Sequence, residues 1–134
     1  MIRFLPISLV IAIHDDQVRL YGGSYGLRDQ GALEAALAMP QARFGGQFLH
    51  GTIFHMAAAY GFHLCQNHPF IDGNKRVAGM TMFAFLQLNG LKPIASEIDY
   101  YNTMMAVASG QLNKEQLTNW LPAVVRGSPP SLET

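Results

Sequence analysis

Cysteine is all but missing from this chain: Cys65 is the only one in 134 residues. No internal disulfide can form and no cysteine cluster can hold a metal, which points to a reducing compartment, the cytoplasm. Charge is sparse, at 13% of residues, and nine basic side chains cancel nine acidic ones. Without a basic field the chain is not read as a nucleic-acid binder. With 49% apolar residues it is not a disordered or solvating segment either. No apolar run approaches the ~20 residues of a membrane span. The opening Phe4 to Ile13 stretch imitates a signal peptide, but His14-Asp15-Asp16 follows with no small-residue cleavage site, so a first helix is expected there. These absences leave one soluble domain over residues 1–126, large enough to bury a core without staples, and a flexible tail over 127–134 that carries Gly127-Ser128-Pro129-Pro130.

The apolar spacing predicts an all-α chain of about six helices, with no convincing strand. Ile7 to Tyr21 forms the first, stopped by Gly22-Gly23. Asp29 caps a second that runs to Met39, where Pro40 ends it. Gly51 to Gln66 is apolar on nearly all sides and should be central. Asn74 to Asn89 is a second apolar helix, closed by Asn89-Gly90. Lys92-Pro93-Ile94 is an extended linker, followed by helices over Glu97 to Ala108 and Lys114 to Val125. Between the second and third helices, Gln41 to His50 holds Gly45-Gly46 between Phe44 and Phe48. It reads as a loop or small hairpin that could flap over a pocket and clamp a protein substrate, or merely connect.

The chemistry is concentrated in nine residues between the two apolar helices: His68-Pro69-Phe70-Ile71-Asp72-Gly73-Asn74-Lys75-Arg76. Pro69 biases His68 out of the α region, which ends the helix and presents the imidazole at a rim. There it could take a proton from a hydroxyl at neutral pH. Asp72 is a hard oxygen ligand of the kind magnesium accepts alongside phosphates. Gly73 lets backbone approach an anion, and Asn74, Lys75 and Arg76 open a helix whose free N–H groups favour phosphate. Arg76 can grip phosphate with two N–H groups, whereas Lys75 acts as a point charge. Phe70 is expected to pin the loop into the core. Taken singly, each residue also has an ordinary reading: Asp72 as a helix cap, His68 as a partner for a carbonyl, the two cations as solvated. It is the whole run, in this order between two apolar helices, that points to a magnesium–nucleotide site.

The run resembles the signature of the Fic/Doc superfamily, whose six fixed positions are matched by His68, Phe70, Asp72, Gly73, Asn74 and Arg76. The second arginine of the AMP-transferring members is replaced by Gly79, and their usual glycine by Lys75. Both departures resemble the Doc ("death on curing") branch, toxins of type II toxin–antitoxin pairs. The likeness extends to His14-Asp15, Tyr21-Gly22-Gly23, Arg28-Asp29, Gly31, Leu33, Ala36, Pro40 and Asn89-Gly90. It implies an all-helical Fic fold and a kinase that moves the γ-phosphate of ATP to a threonine of elongation factor Tu, arresting translation. His68 would be the general base, Asp72 would hold Mg2+, and Gly73, Asn74, Lys75 and Arg76 would hold phosphate. Lys75 would set the γ-phosphate, not the α-phosphate, towards His68. A self-inhibitory helix pattern is not found, so control is expected from a separate antitoxin.

Rival readings are an AMP transferase of the wider Fic type, a catalytically degenerate Fic fold acting as a binding module, and, more distantly, a metal phosphohydrolase built on His14-Asp15-Asp16. Arg28 and Arg43 could join Lys75 and Arg76 in a cationic pocket. His14 and Asp15 are expected to be structural, as are His55 and His63 on one helix face. The methionines and Cys65 read as core filling.

Overall fold

The computed structural model of the protein describes residues 1–132. Six helices carry the architecture: α1 (Ile7–Tyr21), α2 (Gln30–Ala38), α3 (Ile53–Asn67), α4 (Asn74–Leu88), α5 (Glu97–Ala108) and α6 (Lys114–Trp120). Four of the starts have polar caps whose reason is plain in the sequence, Asn113 of α6 among them, accepting from the Gln116 N–H at 2.8 Å. Asp29 accepts from the Ala32 N–H at 3.0 Å, Thr52 from His55 at 3.1 Å and Ser96 from Asp99 at 3.2 Å. The fold is all-α, as the periodicity predicts.

α3 is the centre. Met56, Ala57, Ala58, Ala59 and Tyr60 are five consecutive residues with no exposed surface, so the helix is covered on every side. α4 packs closest to it, and a Cβ at Gly61 would come within 2.9 Å of the Met82 sulfur. Small residues on α3 let the two backbones approach, and Val77, Met82, Phe85 and Leu86 of α4 fill the remaining space. α1 leans on α4, α2 on α3, and α5 and α6 close the other side. The N-terminal segment is tied in at two points. Tyr60 accepts a hydrogen bond from the Leu5 N–H at 3.1 Å, and Phe4 stacks on Phe85. No helix among the described residues is long and apolar enough to cross a membrane.

The structure departs from the sequence expectations in three places. Short strands do exist: β1 (Arg43–Phe44) pairs with β2 (Gln47–Phe48) as the small hairpin that was one of the two readings of Gln41 to His50, while β3 (Lys92–Pro93) pairs with β4 (Val125–Arg126) where no strand was expected, both antiparallel. The closing helix ends at Trp120 rather than Val125, because Pro122 cannot donate to the α ladder. The chain tightens into a 3-10 turn over Leu121–Val124, and β4 then lies along the linker, with Ile94 N–H on Val124 O at 2.7 Å. α3 begins at Ile53, two residues later than the apolar pattern suggests, because Thr52 is its cap. In the expected tail, residues 127–132 have no helix or strand and Leu132 rests against the core, while 133 and 134 lie outside the described residues.

Candidate active site

The loop between α3 and α4 is built from the backbone up. α3 ends at His68, whose φ of 50° and ψ of 53° make it the one non-glycine residue with positive φ among those described. The proline behind it excludes the α region, and the left-handed turn is where the chain goes instead of the extended form. A side chain there costs roughly 1–2 kcal/mol. Arg28 offsets that cost by clamping the helix end, its Nε donating to His68 O at 2.6 Å and its Nη2 to Asn67 O at 2.9 Å. A cation on the last carbonyls of a helix is favourable both as a charge-assisted bond and against the dipole. The N–H groups of Arg28 and Asp29 then both reach Pro69 O, and Ile71 N–H reaches Gly26 O. The segment before α2 thus forms a backrest for the loop, and His68 projects from it exposed.

Beneath the rim, Phe70 is 1% exposed and stacks on the imidazole of His14 with ring centroids 3.9 Å apart. His14 is itself buried and its Nε2 lies 2.7 Å from Asp72 O. A carbonyl can only accept, so Nε2 carries the proton. Nδ1 has no hydrogen bond and faces the Asp15 carboxylate at 3.8 Å. Asn74 closes the loop from the far side: its Oδ1 accepts from Phe70 N–H and its Nδ2 donates to Phe70 O, each at 2.9 Å. Both polar atoms of this buried carboxamide are therefore engaged with Phe70.

Asp72 faces outward. Its Oδ1 accepts from Gly73 N–H at 2.8 Å and its Oδ2 from Ser24 N–H at 3.3 Å, which leaves lone pairs on both oxygens. The Ser24 contact explains Gly23: a Cβ there, at φ 112°, would sit 2.7 Å from Asp72 Oδ2. Gly73, at φ 76°, turns the chain into α4 with no side-chain cap. The N–H groups of Asn74, Lys75 and Arg76 consequently meet no acceptor among the described residues. Lys75 is exposed beside them, and Arg76 reaches back to Gly22 O at 3.2 Å.

His68, Asp72, Gly73, Asn74, Lys75 and Arg76 line one cleft of about 390 Å³, with Phe70 as its buried support. One wall is Cys65, whose thiol burial pushes up to about 11, so no thiolate nucleophile is available at neutral pH. The charge in the cleft is one carboxylate against two cations and a helix start, which suits an anion carrying a hard cation. Asp72 is the one carboxylate lining the cleft, and no group of three His, Cys, Asp or Glu side chains converges among the described residues. This donor set fits magnesium held jointly by a carboxylate and phosphates rather than a metal bound by protein alone.

Of the other candidates, Arg28 spends its guanidinium on main-chain carbonyls and does not line the cleft, and Arg43 stays in the hairpin, its guanidinium 3.8 Å over the Phe48 ring. The hairpin contributes no residue to the cleft lining. His55 bonds Thr52, while His63 and His50 each hold the ammonium of Lys114, at 3.2 and 3.1 Å. The sequence reading missed the Arg28 clamp, the Asn74–Phe70 ring and the bond from Ser24 N–H to Asp72. The only hint was the clustering of Gly22, Gly23 and Gly26 ahead of a helix cap.

Comparison with known proteins bears on this geometry. The Fic/DOC family model matches residues 4–86, from the segment before α1 to the last turns of α4. The chain is 39% identical over 79 residues to "Toxin Doc" of Mycolicibacterium smegmatis, a match covering 59% of this chain and 60% of that protein. It is 30% identical over 119 residues to "Protein kinase doc" of Escherichia phage P1, covering 89% of this chain and 93% of the phage protein.

Proposed function

The chain belongs to the Fic/Doc family and to its Doc branch, and from that premise we propose that it is a protein kinase serving as the toxin of a toxin–antitoxin pair. Its working unit is the single domain over 1–126. It acts in the cytoplasm on a threonine or serine of a translation protein, elongation factor Tu being the first candidate, and a separate antitoxin restrains it. The observation that carries this reading is the cleft itself: an exposed imidazole, a free-sided carboxylate and an uncapped, doubly cationic helix start face one space.

His68 removes the proton from the incoming hydroxyl, whose oxygen bonds to the γ-phosphorus of ATP while the bond to the β–γ bridging oxygen breaks and ADP leaves. Lys75, Arg76, Gly73 and the N–H groups at the start of α4 neutralise the phosphate oxygens and fix them in line. Asp72 would hold Mg2+, which when bound supplies further charge neutralisation. Phe70 and Asn74 keep these groups in place.

The test is purified elongation factor Tu incubated with this protein and magnesium ATP, read by intact mass. Phosphate transfer adds ~80 Da and AMP transfer ~329 Da, because the transferred group differs. The expected result is the smaller adduct on one hydroxyl residue, lost with His68→Ala. The larger adduct would replace a kinase by an AMP transferase. An unmodified factor, with no other protein modified in a lysate, would leave only a binding module.

A further inference from the structure

One buried side chain from α1 meets the motif loop at three points. The imidazole of His14 stacks on Phe70, its Nε2–H donates to Asp72 O at 2.7 Å, and it lies against Gly73, where a Cβ would come within 3.7 Å of Nε2. A phenyl ring would fill the same slot beside Phe70. The imidazole instead leaves Nδ1 buried without a hydrogen bond, a cost that an apolar side chain would not carry. Against that cost stands a single bond, the one to Asp72 O.

That bond acts on a peptide unit gripped at both ends. The unit joining Asp72 to Gly73 accepts from His14 through its C=O and donates through its N–H to Asp72 Oδ1 at 2.8 Å. A peptide is planar and trans, so its C=O and N–H point opposite ways and cannot be re-aimed separately. Turning the C=O away from His14 therefore takes the N–H away from the carboxylate. Gly73 makes such a turn easy, because a glycine at φ 76° has no side chain to oppose a passage to negative φ. The other tether of the carboxylate, Ser24 N–H on Oδ2, is longer at 3.3 Å.

We infer that His14 is a positioning residue for the Asp72 carboxylate: by holding the peptide between Asp72 and Gly73 from beneath, it sets the rotamer in which Asp72 faces the cleft. This deepens the reading of Asp72 as the magnesium ligand of a nucleotide site and rests on it. His14 does not line the cleft and touches no reacting group; it works through one backbone unit. Groups behind a metal ligand commonly act in this way, by fixing its orientation. The role requires an N–H donor at the position of Nε2, which the stack on Phe70 alone does not supply.

The experiment titrates the full chain with the non-transferable analogue β,γ-imido-ATP by calorimetry, with magnesium and without it. Wild type should bind the analogue more tightly with magnesium. His14→Phe keeps the stack and loses the donor. It should weaken the magnesium-dependent binding by about 10–100-fold, the usual worth of a group behind a metal ligand, and leave magnesium-free binding nearly unchanged. His14→Gln places an N–H near the position of Nε2 and should restore most of the loss. Exchange of the Gly73 amide hydrogen, followed by NMR, should quicken in His14→Phe but not in His14→Gln, because only the former releases the bond to Asp72 Oδ1. Circular dichroism and thermal melting check each fold. If His14→Phe does not fold, His14→Leu, also without a donor, is read the same way. Loss of the fold in both would make His14 a core residue and overturn the assignment. A folded donor-free variant that keeps the full gain from magnesium overturns it while the magnesium reading stands, and so does a His14→Gln as weak as His14→Phe. A wild type that binds the analogue equally with and without magnesium overturns the reading of Asp72, and the positioning role with it.

Discussion

Two of the six helices open beside a lysine with histidines close by, and they open in opposite ways. α6 starts with Asn113 and Gln116 satisfying each other's backbone N–H groups at 2.8 and 2.9 Å, and Lys114 is held between His50 and His63. The two N–H groups and the ammonium all have partners, and the corner is a joint between α3, α6 and the end of the hairpin. α4 starts with a left-handed glycine, no side-chain cap and three N–H groups without acceptors among the described residues, while Lys75 and His68 stand exposed. The same residue types give structure where they are paired and a site where they are left open. The open start is not cheap to hold, since neither capping bonds nor a relaxed turn stabilise it. Its stability comes from behind, through Arg28, His14 and Asn74.

The largest effect should come from breaking the open region at its strained residue. His68→Gly removes the imidazole and at the same time suits the left-handed turn. Transfer activity should fall by roughly 10²–10⁴-fold, the usual worth of a positioned general base. Stability should hold or rise by up to about 1 kcal/mol as the side chain's strain is relieved. Urea unfolding beside a transfer assay reads both. A variant that loses activity and several kcal/mol together would mean that His68 belongs with the structural corner.

Next in size is Asn74→Ala, which attacks the support rather than the site. The Phe70 N–H and C=O lose their partners in a buried setting, at about 1–3 kcal/mol for an unsatisfied group. The expected loss is about 2–4 kcal/mol by urea unfolding, with activity reduced because the loop loosens. If Asn74→Ala kept full stability and lost only ATP affinity, the carboxamide would be a phosphate ligand after all.

That contrast also marks what the sequence could reveal. The six helices, the central place of α3 and the Asp29 cap were legible because apolar spacing and capping residues act over a few positions. The run from His68 to Arg76 was legible because all its chemistry is contiguous. The supports were not, since each joins distant segments: Arg28 to the end of α3, Ser24 to Asp72, His14 to Asp72. The bonds of the Asn74 carboxamide to Phe70 were hidden for another reason. A polar residue at a helix start reads as free until the backbone it turns back to is known. The β1–β2 hairpin was one of two readings of its segment, whereas β3 and β4 were missed because two-residue strands carry no periodicity.

The smallest effect belongs to the closed corner, and it has a definite sign. Burial first, then Lys114 and His50, lower the His63 pKa to about 4, and His50 is lowered by burial, Lys114 and His55. In the unfolded chain a histidine takes its proton near pH 6.5. Between about 6.5 and 4 the unfolded state therefore binds more protons than the folded one, and stability must fall as pH falls through that window. The contribution is complete above pH 6.5 and gone below 4. His63→Gln keeps an acceptor for Lys114 but cannot titrate, so its melting temperature should decline less between pH 6.5 and 4.5 than that of the wild type. The difference should be a few degrees at most, because His63 is only partly buried. Parallel declines would mean that the corner does not exclude protons, and the distinction between a sealed lysine and an open one would lose its thermodynamic content.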